Sequence, residues 1–341
     1  MRRSHLAICV ALLSAVALHA LVFKSQDTDY EIFVRAAERF LAGAPLYRES
    51  DVGTGEGWTD RTFKYAPPAA AFFVPFLFLG RGAFLLLCVA ALGLTAYWAS
   101  RETQRSPLVP VLLLLPLAHH AFSLGQSDSL VLGLFAASEL TRAKRPWLSA
   151  VLAASCIVLK VTFIVPVLAM IVLEKRRDAW RIAVAVALFC LIPLSLTPYR
   201  DWLGLLAKTT PPLLCRPANQ GVWAIFCDAR PLVYLSALAF AGAVLWRWRR
   251  SPFAIAAAAT FCAALWSPLC WRSTLVCILP ALFLARRAAL VPAALLALPL
   301  YDVFGPKALS FALEHRLYGL CALATLSIGL VQKPDDAKRE R

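Results

Sequence analysis

Asp27-Thr28-Asp29-Tyr30-Glu31-Ile32-Phe33-Val34-Arg35-Ala36-Ala37-Glu38-Arg39-Phe40-Leu41-Ala42-Gly43-Ala44-Pro45 opens the longest polar interval between the hydrophobic runs of this chain. Tyr30, Phe33, Val34, Ala37, Phe40, Leu41 and Ala44 recur at helical spacing, with Glu31, Arg35, Glu38 and Arg39 on the other side. The pattern predicts an amphipathic helix that lies on a membrane surface and does not cross it. Thr28 with Glu31 fits a capping box at its start, and Gly43 followed by Pro45 stops it. The polar interval continues to Tyr65-Ala66-Pro67-Pro68, where apolar sequence resumes.

The sequence on either side explains why the surface is a membrane. Of 341 residues, 60% are hydrophobic and 16% charged, with a mean hydropathy of +0.68. A soluble domain of this length would expose too much apolar surface, so lipid is the solvent for most of the chain. The expected fold is all-α: a polytopic helical membrane protein forming one integral membrane domain over residues 1–341. The net charge of +15 is not gathered on one face. It falls in knots: Arg2-Arg3, Arg101 with Arg105, Arg142 with Lys144-Arg145, Lys175-Arg176-Arg177, Arg247 with Arg249-Arg250, Arg286-Arg287, and 333–341. Short basic loops beside apolar runs mark cytoplasmic ends, so the charge argues against a nucleic-acid partner and leaves membrane lipids as a secondary one.

Residues 6–23 resemble a signal-peptide core behind Arg2-Arg3, but no small-residue cleavage site precedes Lys24. We expect an uncleaved first span, a cytoplasmic N terminus, and an outer loop at 24–66. Run 66–79 holds only about 14 residues, short of the ~20 needed to cross, and is expected to be re-entrant or interfacial before run 83–99. Runs 107–119 and 129–140 then flank a polar turn, His119 to Asp128. Residues 147–173 have basic knots at both ends and are expected to form a hairpin of two short helices with Lys160 near its outer tip. Run 180–197 leads to a second polar loop at about 198–230. Runs 231–246, 253–266, 274–285, 287–300 and 317–331 complete about 12 helices and leave 332–341 as a cytoplasmic tail. Most of the ten cysteines lie inside apolar runs as small hydrophobes, whereas Cys215 and Cys227 share the second polar loop and could pair if it is extracytoplasmic.

On this topology Asp29, Gln126-Ser127-Asp128, Lys160, Asn219-Gln220 and Trp271-Arg272 all reach the outer face, as a membrane-embedded site requires. Asp29 is either a helix-start carboxylate favoured by the dipole or, with Thr28 doing the capping, a catalytic one; Asp27 is its reserve. Lys160 either snorkels from a hairpin tip or binds an anion. Arg272, beside Trp271, is either an aromatic-belt boundary residue or a bidentate phosphate clamp. His119 and His120 could bind phosphate, shuttle a proton, or simply make a polar turn, and Asn219 and Gln220 carry little weight alone. Glycine-rich phosphate loops, HExxH, GxSxG and metal-ligand spacings are absent, so a soluble nucleotide site and a metal cofactor are not expected.

The order Asp29-Tyr30, amphipathic helix, Leu41-Ala42-Gly43-Ala44-Pro45-Leu46-Tyr47, then Phe63-Lys64-Tyr65-Ala66-Pro67-Pro68 resembles glycosyltransferase family 87, the polyprenyl-phosphate-mannose-dependent mannosyltransferases of GT-C fold. The resemblance continues through Leu124-Gly125-Gln126-Ser127-Asp128, where the family usually has Asn at the last position, Lys160 before Pro166, Asn219-Gln220-Gly221, and Ser267-Pro268-Leu269-Cys270-Trp271. It implies a polyprenyl-phosphate sugar donor, a glycolipid or glycan acceptor, an outer-face site in the plasma membrane, inversion at the anomeric carbon, and Asp29 as general base. It also implies donor-phosphate or substrate contacts for Lys160, Arg272, His119, His120, Gln126, Asn219 and Tyr65, with no cofactor. After the last motif the family commonly carries histidines where this chain has Arg272 and Ser273; arginine can replace a phosphate ligand but not a proton shuttle. Two other classes remain open on sequence: a transporter or flippase of lipid-linked saccharides, which internal repeats would favour although none is found, and a non-catalytic assembly factor.

Overall fold

The computed structural model describes residues 2–23, 29–52, 62–173, 179–248, 251–284, 287–296, 298 and 300–331. Asp27, Thr28, Arg286 and the basic knots at 175–177, 249–250 and 333–341 lie outside the described residues.

The described chain is a bundle of helices. The first half holds α1 (Arg2–Val22), α2 (Asp29–Leu41), α3 (Ala69–Thr103), α4 (Leu108–Leu124), α5 (Asp128–Thr141), α6 (Pro146–Leu159), α7 (Ile164–Leu173) and α8 (Ala179–Cys190). The second half holds α9 (Thr197–Thr209), α10 (Val222–Ile225), α11 (Arg230–Trp248), α12 (Pro252–Leu265), α13 (Leu279–Leu282), α14 (Arg287–Leu296), α15 (Leu300–Glu314) and α16 (Leu317–Val331). The described residues thus form sixteen α-helices where the hydropathy runs predict about twelve. Run-counting misses α9 because it is polar enough to read as loop. It misses α15 because Gly305-Pro306 interrupts its pattern. Run 274–285 also changes character, since Arg272–Ile278 is a 3₁₀ segment ahead of the short α13.

Run 66–79 is a second correction. It is no separate re-entrant element but the first part of α3, which continues to Thr103 with an interruption at Gly80 (φ 73°, ψ 177°). Among the described residues, Ser4–Val22, Ala69–Thr103 and Arg230–Trp248 are long and apolar enough to cross a membrane, while α4 and α5 turn on each other through 115°. The breaks expected at the His119–Asp128 turn and at Lys160 are both present. Phe78, Leu194, Leu196 and Trp246 are exposed by 79% or more, as suits side chains whose solvent is hydrocarbon.

The amphipathic helix forms over the expected residues. α2 buries Tyr30, Phe33, Ala36 and Ala37 against α3, stacking Phe33 on Phe73 with centroids 4.2 Å apart, and ends at Gly43 with φ 62°. Arg39 then forks onto the Asp51 carboxylate and the Leu46 carbonyl, which folds the following loop back under the helix. The second polar loop is closed by a Cys215–Cys227 disulfide and tied to the α15–α16 turn by Arg316, whose Nη2 donates to the Cys215 carbonyl at 2.8 Å.

The core of the bundle is α3 against α5, with α6 on α5's other side and α1 across α3 and α4. The first contact depends on Gly133, where a Cβ would stand 2.3 Å from Ala91 Cβ and 2.6 Å from Ala91 Cα. Neither atom can swing aside, because both are fixed by the α3 backbone. Gly133→Ala is therefore expected to lower stability by about 1–3 kcal/mol through overpacking, read as a fall in unfolding midpoint in detergent. Adding Ala91→Gly should restore most of the loss; a double variant no better than Gly133→Ala would show that this contact is not limiting.

Candidate active site

The site grows from the turn Gly125-Gln126-Ser127 between α4 and α5. Gly125 caps α4 with φ 69°, a left-handed conformation, and its N–H donates to the Phe122 carbonyl at 3.1 Å. A Cβ there would fall 2.5 Å from Tyr30 Cβ, so only glycine lets the start of α2 rest on this turn. Arg81, one residue past the interruption in α3, donates to the Phe122 and Ser123 carbonyls at 3.2 and 2.6 Å and holds the end of α4 from the other side. Tyr30 donates its hydroxyl to the Phe76 carbonyl at 3.1 Å, which locks α2 onto the first part of α3.

This packing sets Asp29, in the first turn of α2, beside Gln126, and the Gln126 amide Nε2 donates to Asp29 Oδ2. Ser127 donates to the Tyr65 hydroxyl at 3.2 Å, and Tyr65 accepts at its own carbonyl from the Tyr47 hydroxyl at 2.7 Å. Asp128, the first residue of α5 and fully buried, pairs through Oδ1 with Lys160 Nζ, which reaches it from the extended break between α6 and α7. Cys277 Sγ approaches the same oxygen at 3.9 Å, while Asp128 Oδ2 has no hydrogen-bond partner. Lys64 completes the group: its charge acts on Asp29 more strongly than that of Lys160, and its carbonyl accepts from Trp202 Nε1 of α9 at 3.0 Å.

The electrostatic outcome is a weakened acid. Burial, then the Asp128 charge, push the Asp29 carboxyl up to about 6, against the pull of Lys64, the Gln126 hydrogen bond and Lys160. Burial also pushes the Tyr65 hydroxyl well above the ordinary tyrosine range, so it serves as a neutral hydrogen-bonding group.

A second cluster lies along the 3₁₀ segment Arg272–Ile278. The Arg272 guanidinium sits 4.8 Å from the Tyr318 ring centre, within electrostatic reach of His120. His119 Nε2 meets His19 Nδ1 of α1 at 2.9 Å. Since Cys277 touches Asp128 and Arg272 starts the same segment, a 3₁₀ rise of ~2 Å per residue sets the clusters on the order of 10 Å apart.

Of the residues singled out by sequence, Asp29, Gln126, Tyr65 and Lys160 therefore converge in one cluster, and Arg272 and His120 in the other, with His119 bonded to His19. Asn219 joins neither. Its Nδ2 donates to the Leu214 and Pro268 carbonyls at 2.9 and 2.8 Å, and its Oδ1 accepts from the Cys270 and Gly221 N–H groups at 2.9 and 3.2 Å. With every amide valence used on backbone, Asn219 staples the disulfide loop to the Ser267–Trp271 loop and holds no position for a ligand. Lys64 and Asp128 carry no motif of their own, and their only sequence signal is a charge at the edge of an apolar run.

An all-helical membrane protein with a carboxylate, cations and tyrosines gathered where broken helices meet belongs to the class of membrane-embedded enzymes. The sequence model of Glycosyltransferase family 87 matches residues 63–299, well over half of the chain, and the chain belongs to that family. It is a membrane glycosyltransferase. Among curated proteins none matches it. The match starts after α2, so Asp29 joins the matched region by its contact with Gln126 and not by sequence alignment.

Proposed function

We propose that this glycosyltransferase moves a hexose, mannose by the family resemblance, from a polyprenyl-phosphate donor to a hydroxyl of a glycolipid or glycan acceptor, inverting the anomeric carbon with Asp29 as general base. The observation that carries the reading is the Asp29 carboxyl, oriented by Gln126 and pushed up to about 6, because a base poised near working pH can accept the acceptor's proton.

The second cluster suits the other half of the reaction. Inversion places the leaving group across the sugar from the base, and a gap on the order of 10 Å accommodates an acceptor oxygen, a pyranose ring and a phosphate in line. Arg272, with His120 beside it, offers the phosphate charge-assisted hydrogen bonds as negative charge develops. Lys64 lies on the base side and would steady the acceptor. A disulfide in the second polar loop persists in an oxidising compartment, which supports an extracytoplasmic site in the plasma membrane, and the interrupted helices are compatible with a GT-C architecture.

The test is transfer by the purified protein in lipid, supplied with a radiolabelled polyprenyl-phosphate hexose and a membrane-lipid extract. Because the base works ionised, kcat should fall as pH drops through about 6 and be flat above it until another group titrates. A profile flat from pH 5 to 8, or no transfer from any polyprenyl-phosphate hexose, would reject the mechanism or the donor respectively.

A further inference from the structure

The part of the site with the least expected chemistry is the turn beneath Asp29. By resemblance Gln126 and Lys160 are donor contacts, yet both are engaged with carboxylates. The Gln126 side chain is buried, its backbone N–H donates to the Ala121 carbonyl at 2.9 Å, and its amide donates to Asp29. The ammonium of Lys160 lies against a fully buried carboxylate that has no other cation.

The adjacent contacts explain why these pairs are held in register. Tyr30 rests on Gly125 so closely that no Cβ fits between them, and their chain neighbours are Asp29 and Gln126. One backbone contact therefore fixes the distance between the carboxylate and the amide. Two residues further on, Asp128 is anchored by Lys160, and between them Ser127 is bonded to Tyr65. The turn is gripped from α2, from the segment before α3, and from the α6–α7 break.

We propose that the turn Gly125-Gln126-Ser127-Asp128 is the positioning device for Asp29, with Gln126 aiming the carboxylate and the Lys160–Asp128 pair holding the turn. This rests on Asp29 being the base, and it makes Gln126 and Lys160 positioning residues and not donor ligands. An amide N–H that donates to Asp29 Oδ2 leaves Oδ1 as the oxygen facing the acceptor hydroxyl, so one of two chemically equal oxygens is selected.

The groups facing Asp29 are Gln126 on the turn, Asp128 at the start of α5, Lys64 and Tyr65 on the segment before α3, and Lys160 at the α6–α7 break. Gln126 favours the ionised form and Asp128 opposes it, so their removal has opposite signs. Gln126→Leu should move the acid limb of kcat upward by about one pH unit, and Asp128→Asn should move it downward. Gln126→Leu should also lower kcat on the order of 10–100-fold, with donor KM within about threefold of wild type. A raised donor KM with an unmoved acid limb would overturn the proposal and make Gln126 a substrate ligand.

A readout free of turnover keeps the two claims apart. Infrared difference titration of the carboxyl C=O band, with Asp29→Asn as the subtraction, follows Asp29 in wild type, Gln126→Leu and Asp128→Asn whether or not they are active. Midpoints moving in opposite directions support the positioning role; a midpoint unchanged in both variants overturns it. If Asp29→Asn retains full transfer while the midpoints still move, the base assignment fails and the turn is not positioning a catalytic group.

Discussion

Asp29→Asn is expected to lower kcat for hexosyl transfer by ~10²–10⁴-fold, the usual contribution of a positioned general base. Asparagine keeps the shape of the side chain and loses only the basic oxygen. Gln126 can rotate its amide to present an oxygen to the new NH₂ group, so the turn keeps its contact with α2. Loss of activity should therefore come with an unchanged unfolding midpoint and little change in donor KM, because the deficit lies in the transition state. Asp29→Glu lengthens the chain by a methylene, carries the carboxylate off the Gln126 amide, and should recover only part of the rate. Measurement of initial rates in lipid decides it: transfer by Asp29→Asn at the wild-type rate would remove this carboxylate from the mechanism.

How much of this site could be read before the fold was known depends on whether the signal is local. The amphipathic α2 was legible because its burial follows a 3.6-residue period, and its end was legible because Gly43 and Pro45 act on the chain next to them. The break at Lys160 was legible for the same reason, as a charge that no continuous apolar run accommodates. The partners were not. Gln126 lies 97 residues from Asp29, and Lys160 lies 32 from Asp128, so nothing along the chain tells which carboxylate each will meet. The second polar loop misled for a related reason: α9 is polar overall but turns Trp202 and Leu205 inward, and Asn219 sits in a motif while serving only backbone groups. Composition located the polar face, and tertiary contact decided what each residue does on it.

Lys160→Met is expected to be the most destabilising of the site substitutions, at about 3–5 kcal/mol, because it leaves a buried charge without its partner. Asp128 is fully buried and its Oδ2 is already unsatisfied, so the Oδ1–Lys160 contact is the main compensation for taking this carboxylate out of water. Replacing both residues removes the charge along with its partner. Asp128→Asn combined with Lys160→Met should therefore be more stable than Lys160→Met alone, and the double-mutant cycle should give a coupling of roughly 1–3 kcal/mol in unfolding measurements. The same pair of variants separates two roles for the lysine. If Lys160 serves as the counter-ion of Asp128, the double variant recovers stability and its donor KM stays near wild type. A donor phosphate held by Lys160 would leave KM raised in both variants, whatever happens to stability. A single variant as stable as wild type would mean that water or a rearranged neighbour reaches Asp128, contrary to its burial.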